Sequence, residues 1–301
     1  MEENKASLTA LLNAYYRGYH AANDSPKIFD DILAYQILTE DGRASLEQFT
    51  MTTLQKAGLS FPDQESALAW VAQATSSPAL ILSRAPYAEN SLEKAVGQGV
   101  KQYVILGAGL DTFAFRRKEL VKQLQVFEVD HPATQSYKRN RLAELGWEIP
   151  EQLHFVPVDF TKESLAEALK RSSYDPQSLT FFSWLGVTYY LTREEVFAAL
   201  RDIAGIAPPG STVIFDYLDT DAFIPRKAVP RIQLMMYSVQ QVGEPMKAGF
   251  DPFKLAEELA PLGLRLNEDL SPMDIFMLYF MGRTDHYRPC EHAHFASVVV
   301  E

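Results

Sequence analysis

The stretch QYVILGAGLDTFAFR, residues 102–116, decides how the chain is read. A short apolar run, Tyr103–Leu106, stops at Gly107; Gly109 follows, and a helix is predicted to begin near Thr112. Strand, close-set glycines and helix start form the entry to a doubly wound α/β sheet, whose ligands lie beyond the carboxyl ends of the strands. Working outward, Gln125–Asp130, His154–Val158, Leu179–Trp184 and Ser211–Tyr217 read as further strands. Helices are predicted between them at Pro132–Leu145, with a basic, solvated face of Lys138, Arg139 and Arg141, at Ser164–Lys170 and at Arg193–Ala204. Pro252–Leu259 reads as helix, and Leu264–Leu270 and His294–Val300 as the last strands. Alternation of this kind predicts a mostly parallel, seven-stranded sheet with helices on both faces.

Upstream of Lys101 the pattern differs. Residues 1–97 hold few β-branched clusters, and apolar residues recur at helical spacing: Leu8, Leu11, Leu12 and Tyr15 on one face, Leu68, Val71, Ala72 and Leu82 near others. Pro26, Pro62, Pro78 and Pro86 punctuate the region. We therefore expect an N-terminal helical extension, 1–97, packed on an α/β core, 98–301. Residues 218–250 are too long for a plain loop and contain a helical stretch, Arg231–Val242, so they read as a lid insertion on the substrate side.

Composition narrows the function classes. The net charge of −11 argues against a phosphate-tracking nucleic-acid binder and against adhesion to anionic lipid. One cysteine, Cys290, permits no internal disulfide and no cysteine-rich zinc site, and no metal site is expected. The N-terminus shows no basic start followed by an apolar core, and no apolar run approaches the roughly 18 residues of a membrane span. The expectation is a cytoplasmic protein acting on a small molecule; its oligomeric state is not legible.

The glycine loop carries the ligand argument. In such folds an acidic residue about 20 positions on, at the end of the next strand, holds ribose hydroxyls. Glu128 and Asp130 both fit, after Gly107 and Gly109. A dinucleotide fingerprint would place a third glycine where Thr112 stands, and the carboxylate of Asp111 opposes a pyrophosphate at the helix start. A cationic or zwitterionic nucleoside fits better. S-Adenosylmethionine has ribose, adenine, a sulfonium and an amino-acid tail, and no phosphate.

The blocks RAPYAE (84–89), QYVILGAGLDTFAFR (102–116), FEVDHP (127–132), FVPVDF (155–160) and WLGVTYYL (184–191) resemble the leucine carboxyl methyltransferase superfamily. More closely, the chain is similar to its bacterial branch of S-adenosylmethionine-dependent O-methyltransferases, which includes polyketide-tailoring enzymes. Arg17–His20 and Ile28–Ala34 carry the same likeness, which runs from about residue 14 to the C-terminus. The resemblance implies a class I methyltransferase-like, Rossmann-like fold and S-adenosyl-L-methionine as cofactor. It implies that Arg84 pairs with the carboxylate of the methionine tail, a match of guanidinium to carboxylate. Gly107, Ala108 and Gly109, with Asp111 at the loop's end, would back the methionine and ribose. Asp130 matches the acid that binds the ribose hydroxyls, with Glu128 as a second candidate or a support. Asp159 and Phe160 match the position that reads the adenine; without the family, Asp159 reads equally as a helix N-cap. The fourth block departs from the pattern: Leu185 stands where the family commonly has a glutamate beside the cofactor.

The acceptor is less legible. A carboxylate is already ionised near neutral pH and needs no base, whereas a phenol gains from one. His131 follows the ribose acid and reads as a structural neighbour, and His292 and His294 read as core or surface residues. Tyr189 and Tyr190 are weak catalytic candidates whose plainer reading is packing. Phe223, Ile224, Met235, Met236 and Tyr237 line an apolar acceptor pocket or, by default, plain core. The expectation is methyl transfer to a carboxylate or hydroxyl of a small, polyketide-like metabolite. The alternatives are a cofactor-binding protein without transfer and an NAD-dependent oxidoreductase.

Overall fold

A computed structural model describes residues 7–301 except 161, 242 and 286, with all side chains but those at 64 and 72. Residues 1–6, the Val242 end of the predicted lid helix and the Ala72 side chain therefore lie outside the described residues. The first third is helical: α1 (Leu8–Asn23), α2 (Ile32–Ile37), α3 (Glu40–Lys56), α4 (Gln64–Ala74) and α5 (Ser77–Gly97). There follow β1 (Gln102–Leu106), α6 (Phe113–Arg116), α7 (Lys118–Val121), β2 (Gln125–Asp130), α8 (Pro132–Glu144), β3 (Leu153–Pro157), α9 (Leu165–Lys170) and β4 (Thr180–Trp184). The chain continues through α10 (Arg193–Ile206), β5 (Thr212–Leu218), α11 (Pro230–Gln241), α12 (Leu255–Leu259), β6 (Leu264–Leu270), α13 (Pro272–Tyr279) and β7 (Ala293–Val300).

The strands form one seven-stranded sheet in the order β3-β2-β1-β4-β5-β7-β6. The five central and left-hand strands are parallel, whereas β7 runs antiparallel between β5 and β6. The strand order reverses between β1 and β4, whose register pairs Ile105 with Ser183, and this is where such a sheet opens a crevice. β1 and β4 are buried at every position, as expected of parallel strands covered on both faces. Edge strand β6 keeps Leu264 and Leu270 in and exposes Arg265, Asn267's neighbour Glu268 being outward as well.

Local chemistry sets the helix ends. α9, α10 and α13 begin with capping boxes, Ser164–Glu167, Thr192–Glu195 and Ser271–Asp274. α13 had no counterpart in the predicted elements: Ile275–Met281 is apolar all round, so the stretch shows no amphipathic period, and Met273, Met277 and Leu278 are exposed. The single helix predicted from Thr112 is two short ones broken at Arg117.

The helical extension is tied to the glycine loop by buried charge. Asp31, fully buried, caps α2, accepts from Thr112 Oγ1 at 2.6 Å and pairs with Arg17 at 2.9 Å and Arg116 at 3.2 Å. Arg17 also donates to the carbonyl of Leu110 at 2.8 Å. After β5 the chain departs at Asp219 and returns at Phe250, where a bridge closes the excursion and Phe250 N–H donates to the Leu218 carbonyl at 3.0 Å. A Cβ on Gly249 would stand 2.6 Å from the Asp219 carbonyl oxygen, so the two limbs pass at backbone contact. Among the described residues no helix is long and apolar enough to cross a membrane.

Candidate active site

A cavity of about 1200 Å³ opens beyond the carboxyl ends of β1, β2 and β4, and α1 and α5 wall its other side. Its floor is the loop from Gly107 to Asp111, where Gly107 takes a φ of +69° and a Cβ would meet the Val187 side chain at 2.7 Å. Asp130, at the end of β2, accepts from Gly109 N–H and from His131 N–H, the latter at 2.6 Å. Burial pushes its carboxyl above the usual range against the pull of those two N–H groups. Asp159 and Phe160 line the cavity on the β3 side, Asp159 paired with Lys162 at 2.8 Å and the Phe160 ring largely open. Asp159 does not cap α9; Ser164 does. The Asp111 carboxylate accepts from Phe113 N–H at 2.6 Å and so caps α6 while lining the cavity.

Arg84 lies at the far wall, buried. It donates to Asp216 at 2.9 Å, to the Tyr189 hydroxyl at 2.8 Å and to the Asn13 amide oxygen at 2.8 Å. Asp216, fully buried on β5, also accepts from Gly186 N–H at 2.6 Å. Gly186 has a φ of +76°, and a Cβ there would run into the Arg84 guanidinium, so only glycine lets the arginine lie against that turn. A guanidinium carries five N–H donors, and these bonds engage three. Leu185 lines the same cavity.

Glu128 is the correction among the predicted ligands. It does not line the cavity; it is buried in the sheet–helix interface and pairs with Lys138 of α8 at 2.5 Å, with its other oxygen unpartnered among the described residues. Lys138 is no part of a solvated face: it is fully buried, and its ammonium also donates to the Asp111 carbonyl at 2.6 Å. Arg141 is mostly covered, donating to the Ile37 carbonyl at 2.9 Å, and Arg139 alone of the three is exposed. Glu128 thus acts under the glycine loop rather than in it. Burial pushes its carboxyl up to about 7, more than the Lys138 ammonium pulls it down.

The sign of that shift is testable. A carboxyl raised from 4.5 holds its proton longer in the folded chain, so its contribution is present below about pH 4.5 and is lost as the pH rises through about 7. Over that window wild type should lose about 3 kcal/mol relative to Glu128→Gln. Urea denaturation of both at pH 4.5 and 8 measures the difference; parallel pH profiles would sink the assignment.

A second, narrower cavity of about 90 Å³ adjoins the first, and both are lined by Arg84, Asn13, Thr9, Ile81 and Tyr190. Its walls come from α1, α3, α4, α5, the 3-10 turn carrying Tyr189 and Tyr190, and α11. Of the lid residues singled out in the sequence, Met235 faces this cavity; Phe223 and Met236 pack on the core, Ile224 lines neither cavity and Tyr237 is partly exposed. His131 lines the larger cavity, its ring capping α8. His292 binds Asp219 at 2.9 Å and accepts from Val229 N–H at 3.3 Å, and His294 stacks on Tyr217; neither reaches a cavity. Asp216, Asn13 and Glu244 were not singled out from the sequence. Asp216 left a signal, an acid inside the buried run TVIFDYL. Glu244, bonded to Ser7 Oγ at 3.3 Å and to Thr9, left none.

The leucine carboxyl methyltransferase family matches residues 10–204, about two thirds of the sequence. The chain belongs to that family. As a member it is an S-adenosylmethionine-dependent methyltransferase. It is 41% identical over 304 residues, 99% of either chain, to the Bacillus subtilis "Putative S-adenosyl-L-methionine-dependent methyltransferase YktD". Among solved structures it is similar to a DUF574 family protein of Streptomyces avermitilis, with a TM-score of 0.60 at 15% identity over 95% of this chain and 100% of that one. An O-methyltransferase family protein of Burkholderia thailandensis matches with a TM-score of 0.53 at 14% identity, over 91% and 77%. These likenesses carry the fold, that of the class I methyltransferases.

The cavity suits the family's cofactor on its own chemistry. Every cation lining it has an anionic partner: Arg17 with Asp31, Arg84 with Asp216, Arg116 with Glu89, and Lys162 with Asp159. A pyrophosphate would find no uncommitted charge there, and α6, four residues long and capped by Asp111, offers it no helix terminus. A phosphate-free nucleoside with a cationic centre meets a wall that also carries Asp130, Asp111 and Glu244.

Proposed function

We propose that this protein is an O-methyltransferase that acts in the cytoplasm on a carboxylate or hydroxyl of a small, apolar, polyketide-like metabolite. The observation that supports the reading is the junction of two unlike cavities at Arg84 and Tyr190, one wide and polar, the other narrow and mostly apolar. In this reading Asp130 holds the ribose hydroxyls and Asp159 with Phe160 the adenine. The loop Gly107–Gly109 backs the methionine moiety, and the remaining donors of Arg84 take its carboxylate. When bound, S-adenosylmethionine supplies a methyl group already activated by a sulfonium. The chain's own work is alignment and exclusion of water. Asp216, Asn13 and Tyr189 fix the plane of the Arg84 guanidinium, and α11 covers the narrow cavity as a lid.

Calorimetric titration with S-adenosylmethionine, S-adenosylhomocysteine and NAD tests it. Wild type should bind the first two in the micromolar range and NAD not at all. Asp130→Ala removes a charged acceptor of two ribose hydroxyls, and a loss of about 100-fold or more is expected. NAD binding, or an unchanged Asp130→Ala affinity, would overturn the cofactor site.

A further inference from the structure

The narrow cavity has a feature that the residue types alone conceal. Thr50, Thr53, Thr75 and Ser238 line it, yet each hydroxyl donates to the carbonyl four residues back in its own helix, at 2.9, 2.9, 2.9 and 2.9 Å, to Leu46, Phe49, Val71 and Leu234. Their donors are consumed by the backbone. The Asn13 amide N–H donates likewise to the Thr9 carbonyl at 2.7 Å. The rest of the lining is largely aliphatic and aromatic, with Leu12, Leu80, Leu234 and Met246 among it. Among the described residues Arg84 is the one in the lining with a full charge, and buried Asp216 balances that charge from behind. Among the described residues no carboxylate and no histidine is in the lining. Of the other hydroxyls in the lining, Thr9 is bonded to Glu244 and Tyr189 accepts from Arg84, which leaves Ser77 and the phenols of Tyr16 and Tyr190 without a hydrogen-bond partner among the described residues. Burial pushes the Tyr16 phenol up to about 12 and raises that of Tyr190 too, so both stay protonated donors.

Resting on the function proposed above, we infer that the acceptor site takes an uncharged molecule, an apolar body whose hydroxyl or carbonyl oxygen meets the free phenols of Tyr16 and Tyr190, and that it turns away carboxylates. An anion entering this cavity leaves water for a wall whose single cation is already matched and is also wanted by the cofactor's tail, and two neutral phenols do not replace its hydration. A neutral ring loses little on entry and gains two hydrogen bonds.

The probes are 2-naphthol and 2-naphthoate, one skeleton in neutral and anionic form at pH 7.5, titrated into full-length protein saturated with S-adenosylhomocysteine. Naphthol should bind at least tenfold more tightly. Tyr16→Phe, at a residue that lines the narrow cavity alone, should weaken naphthol several-fold without weakening S-adenosylhomocysteine. Ser238→Trp, a bulky residue on the half-buried face of α11, should abolish binding of the probe and so locate it. Thr53→Lys, which places a cation on the rim, should reverse the preference. Naphthoate binding as tightly as naphthol, naphthol binding unaffected by Ser238→Trp, or neither probe binding at 1 mM overturns the inference. Failure of S-adenosylhomocysteine itself to bind overturns the function proposed above instead, which keeps the two failures apart.

Discussion

Arg84→Met should destabilise the protein by about 3–5 kcal/mol and abolish measurable cofactor binding, because it strands Asp216 as an uncompensated charge in the core. Asp216 is fully buried, and among the described residues the Gly186 N–H at 2.6 Å is the one bond it would keep to its side-chain oxygens. The two effects come from different causes and separate in a second variant. Arg84→Met combined with Asp216→Leu removes both charges, and replacing a buried pair by apolar residues of similar size is often neutral in stability. The double variant should therefore regain most of its urea midpoint while remaining unable to bind S-adenosylmethionine in the calorimeter. If binding returns together with stability, Arg84 serves the fold alone and the cofactor's carboxylate is held elsewhere.

The second large effect belongs to Lys138. Lys138→Met leaves Glu128 buried without its partner under the glycine loop and frees the Asp111 carbonyl, at a cost of about 3–5 kcal/mol near pH 8. The loss should shrink in acid. Glu128 already sits near 7 in the intact pair, and without the lysine it takes up a proton more readily, so at pH 5 the variant holds a neutral acid instead of a stranded charge. Thermal or urea denaturation at the two pH values measures this; an equal loss at both would mean that Lys138 acts through its bond to Asp111 and not through its charge. Lys138→Met with Glu128→Gln should recover most of the difference at pH 8.

The parallel sheet was legible because its strands are buried on both faces and read as continuous apolar runs between turn residues. Each of the seven lies within one residue of its expected place, from Gln102–Leu106 to Ala293–Val300. The glycine loop and Asp130 were legible for a related reason: a fixed strand–turn–helix geometry puts specific residue types at specific spacings. Charge was read less well. Lys138 stands next to Arg139 in sequence, yet adjacent residues on a helix point about 100° apart, so α8 turns one cation inward and the next out. Glu128 and Asp130, two apart on a strand, share a face, and the sequence alone could not tell which reaches the crevice. It took the partner Lys138, ten residues away from Glu128 on the covering helix, to separate them. The narrow cavity was hidden for a different reason. Its walls come from five helices and a turn far apart in sequence, and its threonines look polar until their bonds to their own helix carbonyls are seen.

The pinch where Asp219 meets Phe250 gives this enzyme a detachable module. Because the two limbs are joined just past the carboxyl end of β5, and Gly249 lets them touch, whatever lies between can be lengthened, shortened or exchanged with its ends held where they are. The family match, which stops at residue 204, does not extend to it. Descent can therefore rewrite one wall of the narrow cavity while Arg84, Asp130 and the glycine loop pass unchanged to the next lineage, and a grafted 219–250 segment from a relative is the shortest route to a differently shaped wall.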